Sequence, residues 1–206
     1  MYKVFISYYH KQDQQYKDRL IDLNKQYKMF IDNSVDMGDI DDENMTDEQI
    51  RVKIRDEYIK DTDVFILLCG RNSKHRKHID WEIHAAMYRS EIKNPIPVIV
   101  INLPNCRNMQ RKNNEEEKKI IEKNGALYWT SLNSYSEYKE NYPDLPERIL
   151  KSLANKKACI SIINWDVLDT NDIKELINYA YQRRKEYEYD DSDKLRRKNG
   201  EDDDII

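Results

Sequence analysis

At 206 residues, with 36% charged and 39% hydrophobic residues, the chain has material for one well-buried α/β domain under a heavily solvated surface, and too little for two. The net charge of −4 gives no basic footprint for nucleic acid. No apolar run approaches the roughly 20 residues of a membrane span, and with Met1 leading straight into a strand no leader segment is expected. Three widely spaced cysteines, Cys69, Cys106 and Cys159, make no disulfide framework and read as reduced core residues of a cytoplasmic protein.

The first predicted element is an apolar strand, Lys3–Ser7, followed by Tyr8 and a polar turn. Asp13 reads as the N-cap of a helix whose apolar stripe is Tyr16, Leu20, Leu23 and Tyr27. Residues 28–32 form a short second strand, and residues 33–45 a long acidic loop. Thr46-Asp47-Glu48-Gln49 has the form of a capping box, opening a helix that buries Ile50, Ile54 and Tyr58. Val64–Cys69 is unbroken in its apolarity, as expected of a central strand covered on both faces. A helix over 79–91 and a strand over 96–103, introduced by Pro95, follow.

Beyond residue 103 the signals weaken: a polar loop at 107–114, a helix at 115–123, a short strand at 126–129 and a helix at 145–154. A last strand at 158–163 and a closing helix at 171–188 complete the series. Alternating strands and helices imply a mainly parallel sheet with helices on both faces. One domain is expected over 1–188, with a core at 1–103, an elaborated region at 104–157 and the last strand and helix at 158–188. Residues 189–206 are highly charged and are expected to be a flexible C-terminal tail.

Some patterns argue against particular chemistries. From Asp32 to Glu43 the oxygen ligands of a calcium loop are spaced correctly, but Met37 stands where the turn needs glycine and Asp39 where an apolar residue belongs. His75, His78 and His84 have no zinc spacing, so no metal is expected. Glycine occurs only 4 times and never in a phosphate-binding loop, which disfavours a Rossmann-type dehydrogenase.

Phe5-Ile6-Ser7-Tyr8 followed by Asp13 resembles the first motif of TIR domains. The loop after strand two falls where those domains carry their BB loop, and Trp81-Glu82-Ile83 matches the place of the TIR glutamate. The missing Trp-Cys spacing and the extra region between Leu103 and Ala158 depart from animal and plant TIR domains. The closer likeness is to the bacterial TIR-like proteins of the Thoeris anti-phage system, of the ThsB type, and it covers residues 1–103 well. It implies a flavodoxin-like three-layer sandwich with a five-stranded sheet in the order 2-1-3-4-5 and a site at the carboxyl ends of strands one and three. It also implies NAD as a substrate and no resident cofactor. The bond to nicotinamide breaks through an oxocarbenium-like state, and a cyclic or conjugated ADP-ribose signal then acts on a separate effector protein. Self-assembly or a phage component would switch the enzyme on; neither nucleic acid nor membrane is an expected partner.

On this resemblance Glu82 is the catalytic carboxylate, facing the cationic ribose. On the residues alone it lies at the border of the stripe Ile79, Ile83, Ala86 and Met87, and equally reads as a dipole partner kept ionised by the first helical turn. Ser7, Tyr8, Asp32, Asn33 and Ser34 are the candidate substrate-binding residues, Ser7 for a phosphate or ribose hydroxyl and Tyr8 for stacking on a ring. With Asp13, Ser7 and Tyr8 equally describe a plain strand end capped into a helix. The basic residues of 71–77 either attract the pyrophosphate or form a solvated loop. Trp81 and Tyr88 share an outward helical face, suggesting contact with another chain or cover by the 103–158 region. The rival reading is a non-catalytic TIR-like or receiver-like signalling and assembly module. A phosphorelay is disfavoured, because strand three ends in Cys69-Gly70 and offers no aspartate.

Overall fold

The computed structural model describes residues 1–34, 44–89, 94–108, 132, 134–155, 158, 160–167, 169–186, 188–190 and 192–200. Strands β1 (Lys3–Ser7) and β3 (Val64–Cys69) have the bounds expected from their apolar runs. With β2 (Ile31–Asp32), β4 (Val98–Asn102) and β5 (Ser161–Asn164) they form a parallel sheet in the order 2-1-3-4-5. The fold is thus the flavodoxin-like α/β arrangement. All of β3 is buried, and each of its large apolar side chains contributes about 2 kcal/mol, which holds this strand at the centre.

The helices are α1 (His10–Tyr27), α2 (Asp47–Lys53), α3 (Lys77–Met87), α4 (Tyr135–Asn141), α5 (Glu147–Ala154) and α6 (Thr170–Gln182). The two-residue period of the strands sorts the core into two layers. Phe5, Phe65, Leu67, Val98 and Val100 pack with Ile50, Trp81, Ile83, Tyr142 and Ile149 on the side of α2 to α5. Val4, Ile6, Val64, Ile66 and Ile99 pack with Leu20, Ile173, Leu176 and Ile177 on the side of α1 and α6. The capping box at α2 is present, with Thr46 and Gln49 each satisfying the other's backbone N–H.

Several expectations are corrected. Asp13 does not cap α1: the helix starts at His10 with Tyr9 at the cap position, and Asp13 turns inward. The second strand is shorter than 28–32. Lys28 ends α1 at φ 52, and the Asn24 side chain takes the Met29 and Phe30 N–H groups, each at 2.9 Å, drawing these residues into the core before pairing begins. Helix α3 begins at Lys77 instead of 79 and ends at Met87, because Tyr88 is extended. Helix α4 was not anticipated, although Ser134 and Glu137 form a capping box at its start. The helix expected at 115–123 and the strand at 126–129 lie outside the described residues.

The flexible tail expected over 189–206 is replaced, across 192–200, by a strap laid on α3 and α5. Leu195 is buried, and its N–H reaches Asp47 Oδ2 at 3.0 Å. Arg148, itself buried, pairs with Asp80 and donates to the Asp193 and Lys194 carbonyls. The Arg196 N–H donates to Asp80 Oδ2 at 2.8 Å, and the Gly200 N–H to the His75 carbonyl at 2.8 Å. Charge in this segment therefore serves specific pairing, which composition alone reads as solvation.

Candidate active site

Ser7 ends β1 with its side chain on the α3 side of the sheet, next in alternation to Phe5. Its hydroxyl donates to Glu82 Oε2 at 2.5 Å, and Glu82 is only 7% exposed. Burial pushes the Glu82 carboxyl up to about 7, and the Ser7 hydroxyl holds it partly down. The expectation that the first-turn dipole keeps this group ionised is corrected. The helix starts two residues earlier than predicted, so Glu82 falls in the second turn, where the dipole is weak and desolvation dominates. In surroundings this dry, its negative form is strongly attracted to a developing cation.

The other predicted substrate residues divide. Ser34 stands beside the end of β1, its hydroxyl accepting from the Ile6 N–H at 2.9 Å. Asn33 instead braces the turn ahead of β3, donating to the Lys60 carbonyl and Thr62 Oγ1, each at 2.9 Å. Asp32 is exposed and accepts from the Ser34 N–H at 3.0 Å. Tyr8 packs with the α1 and α6 layer, across the sheet from Glu82. Its hydroxyl donates to Gln14 Oε1 at 2.7 Å, and its ring stacks on His10. Ser7 and Glu82 are thus joined, with Ser34 alongside; Tyr8 and Asn33 are engaged elsewhere.

The two interface candidates are not open faces. Trp81 is 0% exposed, its indole N–H donates to the Arg196 carbonyl at 2.7 Å, and it shares a buried cluster with Tyr142 and Ile149, so the strap and part of the 103–158 region both help to cover it. Tyr88 carries the Arg51 guanidinium 3.5 Å above its ring. Within the basic run, Lys74 donates to the Pro143 carbonyl and Arg76 lies over Tyr9, whereas Arg71 is exposed.

Two further features stand at the same sheet edge: Asp13, which the sequence offered as a residue bordering the ligand, and a polar cluster that it did not offer. Asp13 is fully buried, with its carboxylate pressed against Gly70 just past β3. A Cβ at Gly70 would stand 2.4 Å from Asp13 Oδ2, so a side chain there would have to push that carboxylate aside. Asp13 Oδ1 accepts from the Asn105 amide at a long 3.4 Å, and among the described residues Oδ2 has no partner. Burial raises this carboxyl to about 6, with Asn105 pulling slightly down. Beyond β4, Asn102, Asn108, Cys69 and Asp144 form a second buried polar cluster, centred on a 3.1 Å bond from Asn108 to Asn102. The polar Asn102 closing the apolar run Val98–Asn102 was its only signal in the sequence.

Two described hollows lie away from Glu82. One of about 340 Å³ opens at the amino ends of β3 and β4, between Arg55, Asp63, Pro97 and Arg184. Another of about 550 Å³ lies over α4 and α5, between Tyr135, Glu147, Lys151 and Asp190. Residues 35–43, which follow Ser34, are outside the described residues.

The family model of the Thoeris protein ThsB, TIR-like domain, matches residues 5–108. The chain belongs to this family. Its place is therefore in TIR-like anti-phage defence, and the matched span of this ThsB-family chain carries Ser7, Asp13, Ser34, Glu82 and Asn105. Comparison with curated proteins and with solved structures gives no significant match. Among the described residues, no helix is long and apolar enough to cross a membrane.

Proposed function

We propose that this chain cleaves NAD at the bond between nicotinamide and ribose and passes the ADP-ribose on, within the molecule or to a small acceptor. The product is a cyclic or conjugated nucleotide that activates an effector protein in anti-phage defence. The observation that carries this reading is the Ser7–Glu82 pair, a buried carboxylate held by one hydroxyl at the carboxyl edge of the ThsB-type domain.

As the bond breaks, its electron pair leaves with nicotinamide, and positive charge grows on the ribose carbon. Glu82 faces that charge as a carboxylate, and its dry setting strengthens the attraction in the transition state above that in the ground state. Ser7 fixes the carboxylate's rotamer, so no reorganisation is needed when the charge develops. The attacking hydroxyl then closes on the ribose carbon and releases its proton to water. NAD is the substrate; the scheme requires no resident cofactor.

Nucleotide analysis by mass spectrometry of cells expressing the protein, with and without phage infection, tests this directly. The expected result is a new ADP-ribose species on infection that disappears in Glu82→Gln. Protection from phage without any NAD-derived species would refute the enzyme and leave a non-catalytic assembly module. That second reading has one observation in its favour: Glu82 is nearly closed off, and neither hollow described above reaches it.

A further inference from the structure

The hollow at the amino ends of β3 and β4 lies at the far end of the sheet from Glu82. Its volume of about 340 Å³ falls in the range of small-molecule pockets. Two arginines line it. Arg55 is half-buried and donates to the Ala85 and Asn94 carbonyls. Arg184, also half-buried, donates to the Tyr181 carbonyl at 2.8 Å and lies 3.8 Å over the Tyr181 ring. Among the described residues neither guanidinium forms an ion pair with a carboxylate. Burial, and after it the neighbouring Arg51, pulls the Arg55 pKa down, and Asp56 opposes them with the smallest effect. A guanidinium keeps its charge throughout the physiological range, so this hollow holds positive charge that the protein leaves uncompensated.

Two carboxylates share the lining, and Lys3 engages both. Asp63 Oδ2 accepts from the Lys3 N–H at 2.9 Å, and Asp61 lies 4.0 Å from its Nζ. With Lys60 also in the lining, Arg55, Arg184, Lys60 and Lys3 outnumber Asp61 and Asp63. The opposite wall is apolar: Pro95, Ile96 and Pro97 are buried, and the prolines bring no N–H. We propose that this hollow binds a small organic phosphate, its phosphate held by Arg55 and Arg184 and its carbon frame against the proline wall. A phosphate monoester carries about −1.5 to −2 charges on three acceptor oxygens, enough to answer two guanidinium forks, whereas a carboxylate answers one. The site is separate from the Ser7–Glu82 pair and does not rest on the reading of NAD as substrate.

NMR titration of the full-length chain with phenyl phosphate, inorganic phosphate and benzoate tests this. Phenyl phosphate is expected to bind most tightly and benzoate about tenfold more weakly. The shifts should centre on the Arg55 and Arg184 Nε–H signals and on the amides of Asp61, Thr62 and Asp63. Arg184→Gln should weaken phenyl phosphate by about tenfold or more, with the melting temperature held near that of the wild type. The wild-type map reads the site even if that variant folds poorly. Absence of binding by both phosphate probes at millimolar concentration would overturn the proposal. So would shifts centred on Ser7 and Glu82, benzoate binding as well as phenyl phosphate, or a folded Arg184→Gln with unchanged affinity.

Discussion

Asp144 and Glu82 are both buried carboxylates in the layer of α2 to α5, yet their surroundings differ in kind. Asp144 receives the Arg107 backbone N–H at 2.8 Å and two of its guanidinium nitrogens, with Lys74 Nζ at 3.6 Å. Burial works against its charge, but Arg107 and Lys74 outweigh it and hold the carboxyl below its usual range. Glu82 receives one hydroxyl, and its carboxyl is driven up to about 7. The difference separates a carboxylate that holds the fold from one the fold tolerates. A group kept in an unfavourable setting at a ligand-binding edge is a candidate for chemistry, and a fully paired one is a brace.

The largest test of this contrast is Asp144→Ala. Removing the acceptor of so many donors should destabilise the protein by about 3 kcal/mol in denaturant unfolding. A loss under about 0.5 kcal/mol would place Asp144 outside the bracing role.

Glu82→Gln should move stability the other way. The folded carboxyl is raised to about 7 from an ordinary 4.5, so the wild type is penalised as pH rises through that interval, and the penalty is complete above it. The amide escapes the penalty. Its gain should be on the order of 2 kcal/mol at pH 8 and vanish near pH 4, read as the difference in denaturation midpoint between the two proteins. An equal effect at both pH values would show that the carboxyl does not titrate there.

Ser7→Ala is the smallest and sharpest change. It should cost about 1 kcal/mol in stability at pH 8 and push the Glu82 carboxyl further upward, since the hydroxyl is the one group lowering it. Carbon-detected NMR titration of Glu82 measures the direction; a carboxyl that titrates lower in Ser7→Ala would dissolve the pair as a functional unit.

The parts of the molecule governed by hydropathy were legible from residue order. Val64–Cys69, buried on both faces, and the Thr46–Gln49 capping box need only local pattern, and alternation gives a parallel sheet, whereas its strand order came from the family resemblance. Glu82 and Ser7 were found by motif, but their 2.5 Å contact joins residues 75 apart and belongs to tertiary geometry. Tyr8 falls in the opposite layer by the same alternation that sets Ser7 beside Phe5, since it continues the series Val4 and Ile6. The Asn24 side chain that shortens β2 competes with the ladder through hydrogen bonds of its own, a choice propensity leaves open. The strap was hidden for a similar reason: Arg196 and Asp193 look solvated until Asp80, Trp81 and Arg148 are in place around them.

The bond from Trp81 to Arg196 spans 115 residues, and that distance sets an order of events during synthesis. The sheet can assemble from its early strands as they leave the ribosome, whereas the indole of α3 must wait for Arg196. Until then, a large aromatic surface on the helix bearing Glu82 stays uncovered, in the period when nascent chains are most prone to associate wrongly. Closing so long a loop comes late, and the strap completes the seating of the helix on which the proposed chemistry depends.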